Sequence, residues 1–359
     1  MKIGLVIYGR LDTLTGGYLY DREMVTALEK RGHRVVVVRL PAVNYPLRLA
    51  LNWQRLWMAT RVPKGLDILI QDELCHPSLI RMNARRRGDR CPVVALVHQV
   101  LCDEPRAPWR NRLLRQVEKR YLDGVDGFIF NSGTTRDTVW RLTARDRPHV
   151  VAPPGGDRLG PCPTPKTIAL WSQDSGPLRL FFLGNLIPRK GLRPLIDALA
   201  GLPRDIWTLR VAGRLDMNRT YVRRVRRALR QRGLADRVQL LGVREGSLLA
   251  DELARAQVLC MPYAYEGFGM ATLEAQGFGL PVIGCRAGAT RELVEDGVSG
   301  YLVNPGDQAA IRRAVADLHQ DRPALAKMSL AARHHFDAHP TWEASMGRLA
   351  AFLEDLVAP

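Results

Sequence analysis

The chain has 359 residues, 46% hydrophobic and 25% charged, which excludes a disordered polymer and exceeds what one ordinary core holds. Its 53 Lys and Arg against 36 Asp and Glu leave a formal charge of +17. That excess calls for an anionic partner: a phosphorylated ligand, nucleic acid or an acidic membrane surface.

The opening MKIGLVIYGR has too short an apolar run for a signal peptide and no cleavage site after it. No segment approaches the ~20 apolar residues of a spanning helix. Cys75, Cys91, Cys102, Cys162, Cys260 and Cys285 lack zinc or redox spacing and read as buried reduced thiols. The expected location is the cytoplasm, with peripheral contact on the inner membrane face left open by the charge.

KIGLVIY reads as a strand buried on both faces of a parallel sheet. A turn-rich loop ending in Gly16-Gly17 follows, then a helix over 18–31 closed by Gly32, and the strand RVVVV. LDILIQD, CPVVALVHQ and GFIFNS are further buried strands. Residues 152–177, with PPGGDRLGPCPTP, have the Pro and Gly density of a linker. Beyond it the pattern restarts: LRLFFLG strand, LRPLIDALA helix, WTLRVAG strand, VRRVRRALRQRG basic helix. RVQLLG, VLCMPY, LPVIG and YLV are four more strands, with the helix GMATLEAQGFG among them. The expected fold is α/β with two Rossmann-like domains, 1–165 and 166–339, facing a central cleft at their strands' carboxyl ends. Residues 340–359, led by TWE, form an amphipathic C-terminal helix.

Four pieces of the second half invite a common explanation. GNLIPRKG (184–191) follows a strand and enters a helix, so Asn185, Arg189 and Lys190 form either a phosphate site or a solvated basic turn. In EGFGMATLE, Glu266 lies in the loop before a helix and Glu274 one turn inside it. They are either helix-terminus partners or acceptors aimed at ribose and hexose hydroxyls, with amides left for the phosphates. AGATRELVEDGVSGYLVNPGD (287–307) is a glycine-punctuated turn, helix and strand. VQLLGVRE ends a strand at Gly242, whose neighbour Val243 offers backbone at the sheet rim for a nucleobase edge.

Taken in order, GNLIPRKG, VQLLGVRE, EGFGMATLEAQGFGLPVIG and AGATRELVEDGVSGYLVNPGD resemble the donor domain of the family-4 glycosyltransferases, retaining enzymes of the GT-B fold. Glu266 and Glu274 match that family's paired-glutamate signature. GGYLYDREMVTALEKRGHRV is similar to its first loop and helix, VALVHQ to its histidine-bearing strand, and the TWE-led tail to the helix that returns to the acceptor domain. The resemblance covers nearly the whole chain and is most specific in the donor half.

The resemblance implies a hexose moved from a UDP- or GDP-sugar to a glycolipid, polysaccharide or small-molecule acceptor, with retention and no metal or other cofactor. It gives Lys190 to the diphosphate and Glu274 to the ribose. Glu266 goes to the transferred sugar, with the amides of Phe268, Gly269 and Met270. Gly16 and Gly17 would let the first loop close over the phosphates, and His98 would line the cleft at the sugar, so His98 and Glu266 are the catalytic candidates. Asn185 stands where the family usually has arginine, so either Arg189 supplies the missing charge or donor choice differs.

ARRRGDR, WRNRLLRQVEKR and YVRRVRRALRQR carry much of the excess charge, either as solvated helix faces or as an anion-binding surface. In residues 46–62, Leu49, Trp53, Leu56 and Trp57 fall on one helical side, the composition of an interfacial helix or of a core-packed one. No recognised nucleic-acid motif accompanies the charge. The competing readings are a same-fold sugar-nucleotide epimerase or glycan phosphorylase, or a non-catalytic basic nucleotide- or nucleic-acid-binding protein.

Overall fold

The computed structural model describes residues 1–53, 62–86, 90–104, 106–143 and 146–358. The chain divides into two compact units, Met1–Pro154 with Pro340–Pro359, and Gly155–His339.

The first unit holds a six-stranded sheet of β1 (Lys2–Tyr8), β2 (Arg34–Leu40), β3 (Ile68–Asp72), β4 (Val93–Val97), β5 (Gly127–Phe130) and β6 (His149–Val151). The order is β2-β1-β3-β4-β5-β6, with every pairing parallel. All residues of β3, β4 and β5 are buried, which is why β4 and β5 are continuous apolar runs rather than alternating ones, with buried Gln71 and Asp72 closing β3. The C-terminal helix Trp342–Val357 belongs to this unit. Trp342 meets Tyr20 edge-on at 5.8 Å between ring centroids, and Glu354 accepts from Arg31 and pairs with His33 at 2.9 Å.

The second unit repeats the design with β7 (Leu178–Leu183), β8 (Trp207–Ala212), β9 (Val238–Gly242), β10 (Val258–Met261), β11 (Val282–Cys285) and β12 (Gly300–Val303). Its order is β12-β11-β10-β7-β8-β9, again parallel throughout. The chain runs outward from β7 through β8 to β9, then resumes with β10 on the other side of β7. The loops after β7 and β10 therefore diverge at a reversal of strand order, where open α/β sheets bind ligands. In the first unit the same reversal falls between β1 and β3.

Two expectations are corrected. Residues 152–177 are not a structureless linker: a 3-10 turn spans Asp157–Leu159 and a helix spans Pro165–Ser172. Thr164 caps that helix through its side chain and Pro165 takes its first turn, so proline marks a helix start there. The passage between units lies at Pro154/Gly155, ahead of the 165/166 boundary, because Leu159 is buried in the second unit's core and Arg158 bonds Glu274.

The single helix expected over 46–62 is also not formed as drawn. Asn44 caps a helix of only Tyr45–Leu51, Leu49 is half-buried, and Leu47 and Trp53 are the exposed apolar residues. Leu56 and Trp57 lie outside the described residues. The six cysteines are free thiols, and no helix among the described residues is long and apolar enough to cross a membrane.

Candidate functional site

The loop after β7 brings Lys190 to the strand-order reversal of the second unit. Pro188–Lys190 form a 3-10 turn, and Gly191 follows in the left-handed region at φ +76. A Cβ on Gly191 would lie 2.4 Å from the Pro262 carbonyl oxygen, so only glycine lets this loop close on the chain leaving β10. Lys190 Nζ donates to Glu266 Oε2 at 2.7 Å and sits 4.2 Å above the Tyr263 ring. Both side chains of that ion pair keep about a sixth of their surface open, 17% and 16%.

The Glu266 backbone is pinned from the third motif. Ala289 N donates to the Glu266 carbonyl at 2.9 Å, and a Cβ on Gly288 would meet that same oxygen at 2.2 Å. The glycine-punctuated turn therefore holds the carboxylate-bearing loop in place. Gly269, at φ +103, then starts the helix Met270–Gly277. The amides of Phe268, Gly269 and Met270 donate to no acceptor among the described residues, as at any helix N-terminus.

Glu274 lies one turn inside that helix and is 4% exposed. Arg158 Nε donates to its Oε1 at 2.6 Å. Burial raises the Glu274 carboxyl above its ordinary range, and the Arg158 guanidinium pulls it part of the way back. Arg158 was not among the residues the motifs single out. Its only signal was a lone arginine in a Pro- and Gly-rich stretch.

Asn185 and Arg189 occupy less direct positions. Asn185 Oδ1 accepts the Arg214 amide at 3.2 Å, while Leu186 N donates to the Arg214 carbonyl at 3.0 Å. The asparagine thus zips the loops after β7 and β8 together. Arg189 Nη1 donates to the Tyr265 carbonyl at 3.3 Å, next to Glu266 in sequence. Gly242, at φ +74, ends β9 and Val243 beyond it is 41% exposed.

In the first unit His98 follows β4, and its Nε2 lies 2.9 Å from Asp21 Oδ1. Asp21 is fully buried on the helix Gly16–Lys30. Burial alone would lower the His98 pKa; Asp21, then Asp72 and Glu73, more than reverse this and hold it above the ordinary histidine value. Asp72, at the carboxyl end of β3, is buried and pushed up to about 6 by that burial. Gly16 and Gly17 form the first turn of their helix, capped by Thr15, rather than the loop before it. A Cβ on Gly17 would come within 3.3 Å of the His98 ring, so glycine there leaves room for the imidazole. Asp21 reads in sequence as an ordinary helical acid. Asp72 had one available signal, a carboxylate closing a strand that is apolar up to Ile70. Among the described residues, one trio of metal-type ligands comes together, Glu73, His76 and Glu118, in the first unit.

Comparison with known proteins is consistent across the chain. Residues 166–335 match the family model of the glycosyl transferases group 1, and residues 19–158 match that of glycosyltransferase family 4. A GDP-mannose-dependent α-(1-6)-phosphatidylinositol monomannoside mannosyltransferase of Mycolicibacterium smegmatis is 32% identical over 75% of this chain and 72% of its own length. A D-inositol 3-phosphate glycosyltransferase of Geodermatophilus obscurus is 30% identical over 65% of this chain and 53% of its own. With several such curated relatives the match spans between half and two thirds of the relative's length. Among solved structures, sucrose-phosphate synthase from Thermosynechococcus elongatus superposes with TM-score 0.82 at 19% identity, covering 99% of this chain and 98% of that one. Anabaena HepE in complex with UDP-glucose gives 0.76 at 21%, covering 99% and 100%. These two likenesses establish the fold, and the family models with the mycobacterial relative establish descent: the chain belongs to the family-4 glycosyltransferases.

Proposed function

We propose that this chain transfers a hexose from a nucleoside-diphosphate sugar to an acceptor hydroxyl with retention at the anomeric carbon. The observation that carries the reading is the Lys190–Glu266 pair at the strand-order reversal, beside the free amides of Phe268, Gly269 and Met270. A diphosphate entering there would take Lys190 from Glu266 and free the carboxylate for a sugar hydroxyl. Glu274, paired with Arg158, would accept from a ribose diol, and the backbone around Gly242 and Val243 would receive the base. Lys190, Arg189 and the helix amides stabilise the departing diphosphate electrostatically, so the reading needs no metal. The leaving phosphate takes the acceptor's proton on the face from which it departs. In this assignment the first unit, which carries His98, binds the acceptor and the second binds the donor.

The donor is a GDP- or UDP-sugar: relatives are described as GDP-mannose-dependent, and HepE is seen with UDP-glucose. A lipid-linked or otherwise anionic acceptor suits the basic surface. On the helix Pro108–Leu122, Trp109 (64% exposed) and Leu113 (56%) are one turn apart, flanked by exposed Arg110 and Arg112. That combination favours peripheral contact with an anionic membrane.

Calorimetric titration with GDP-mannose, UDP-glucose and the free diphosphates tests the donor reading, followed by turnover with and without added Mg²⁺. Binding of one sugar nucleotide and metal-insensitive transfer are expected. Failure of every sugar nucleotide to bind, with salt-sensitive oligonucleotide binding instead, would overturn it.

A further inference from the structure

A second group of ionisable side chains lies inside the first unit and has no part in the proposed transfer. Glu73 opens the 3-10 turn after β3, His76 begins the helix His76–Arg86, and Glu118 sits on Pro108–Leu122. None of the three is more than 1% exposed. One ligand-type atom from each comes together with all separations within 4.8 Å, and His76 Nδ1 is 2.9 Å from Glu73 Oε1.

The surroundings orient two of the three groups and leave the third unanswered. Glu118 accepts from the amides of Leu101 and Cys102. His76 Nε2 lies 3.0 Å from the Tyr45 hydroxyl, and its Nδ1 lies 3.0 Å from the Glu73 backbone carbonyl oxygen. Neither carboxyl oxygen of Glu73 has a directed hydrogen bond, and nor does the buried hydroxyl of Tyr121, whose ring adjoins His76. No lysine or arginine pairs with Glu73 or Glu118 among the described residues.

Two carboxyl groups without a counter-ion must be neutralised by protons or by a cation. A proton shared between Glu73 and Glu118 would answer one Glu73 oxygen at most. A dication would engage both carboxylates and the ring nitrogen and bring the cluster's charge to zero. Bound at Nδ1, the ion would replace that atom's contact with the Glu73 carbonyl, and the Tyr45 hydroxyl would accept the Nε2 proton, the outer-shell arrangement of a metal-bound histidine. A mixed nitrogen and oxygen set favours an ion of the zinc class over magnesium or calcium.

We propose that Glu73, His76 and Glu118 form a structural site for one divalent transition-metal ion, tying the turn after β3 to the helix that carries Glu118. The test is the metal content of tag-free, full-length wild-type protein by mass spectrometry, with melting curves after chelator dialysis and after return of Zn²⁺ or Mg²⁺. About one zinc-class ion per chain is expected, with a melting point lowered by chelation and restored by Zn²⁺ but not Mg²⁺. His76→Ala and Glu118→Gln should each lose the ion. Metal-free wild type whose melting point ignores both chelator and Zn²⁺ overturns the site, and because it needs no variant, misfolding cannot obscure it. Metal retained by both variants overturns it too, assigning the ion to other ligands. A Glu73→Gln protein that is more stable than wild type while neither binds metal would identify a shared proton as the neutralising group.

Discussion

Removing the Arg158 guanidinium should make donor affinity depend on pH. Arg158 bonds Glu274 at 2.6 Å, with side-chain exposures of 27% and 4%. Breaking a fully buried pair costs about 3–5 kcal/mol and a surface pair about 0–1, so roughly 2 kcal/mol of stability is at stake here. Burial already raises the Glu274 pKa, and without its cation the carboxyl rises further and holds its proton to higher pH. A carboxylic acid accepts from a ribose hydroxyl more weakly than a carboxylate, by about 1–1.5 kcal/mol, so Arg158→Ala should bind a nucleoside diphosphate up to roughly 5- to 10-fold more weakly at the acid end of the range. The loss should shrink as pH rises and the carboxylate forms. Stability should move the other way. An acid whose folded pKa is raised contributes stability at low pH that is lost as pH climbs through that pKa, so the variant's melting point should fall with pH more steeply than wild type. Calorimetric titrations from about pH 6 to about pH 9 measure the affinity, with Arg158→Lys expected to restore it and Glu274→Gln to give a weak, pH-independent site. An affinity loss that is flat with pH, or that lysine does not rescue, would refute the linkage. Wild-type affinity in Glu274→Gln would instead refute the ribose assignment.

Lys190→Ala should weaken sugar nucleotide and free diphosphate alike, by the roughly 1.5–3 kcal/mol of a charge-assisted contact, as calorimetry would register. Glu266→Ala should cut turnover while sparing diphosphate affinity; a parallel collapse of both would place Glu266 elsewhere on the donor. Asn185→Arg removes the bond to the Arg214 amide, so a stability loss of about 1 kcal/mol should accompany any gain in phosphate affinity, read by denaturant melts and titration together. If Arg189 supplies the charge the family usually places at residue 185, Arg189→Ala should lower kcat/KM nearly as far as Lys190→Ala, and an unchanged kcat/KM would remove that role. Asp21→Asn takes away the main group raising the His98 pKa, so the alkaline fall in kcat/KM should move to lower pH; an unmoved profile would show that the imidazolium is not used.

Composition and local pattern were enough for the architecture of each half. β4 and β5 are legible as unbroken apolar runs because a parallel strand buried on both faces has no polar side to show, and β3 by its apolar run up to Ile70. Lys190, Glu266 and Glu274 are legible because glycines that must adopt positive φ or admit another backbone, such as Gly191 and Gly269, leave a fixed signature around them. What the sequence could not display is pairing across long separations. Asp21 with His98, Arg158 with Glu274 and Asn185 with the Arg214 amide are 77, 116 and 29 residues apart. Such partners carry no local periodicity, so an arginine in a proline-rich stretch or an acid on a helix looks like a solvated residue until the fold encloses it. The helix Pro165–Ser172 was hidden differently, since proline at a first helical turn has the same composition as a linker. Local chemistry therefore determined the strands, the turns and the motif residues, whereas tertiary structure decided which buried charges meet, because the cost of leaving one unpaired appears only after burial.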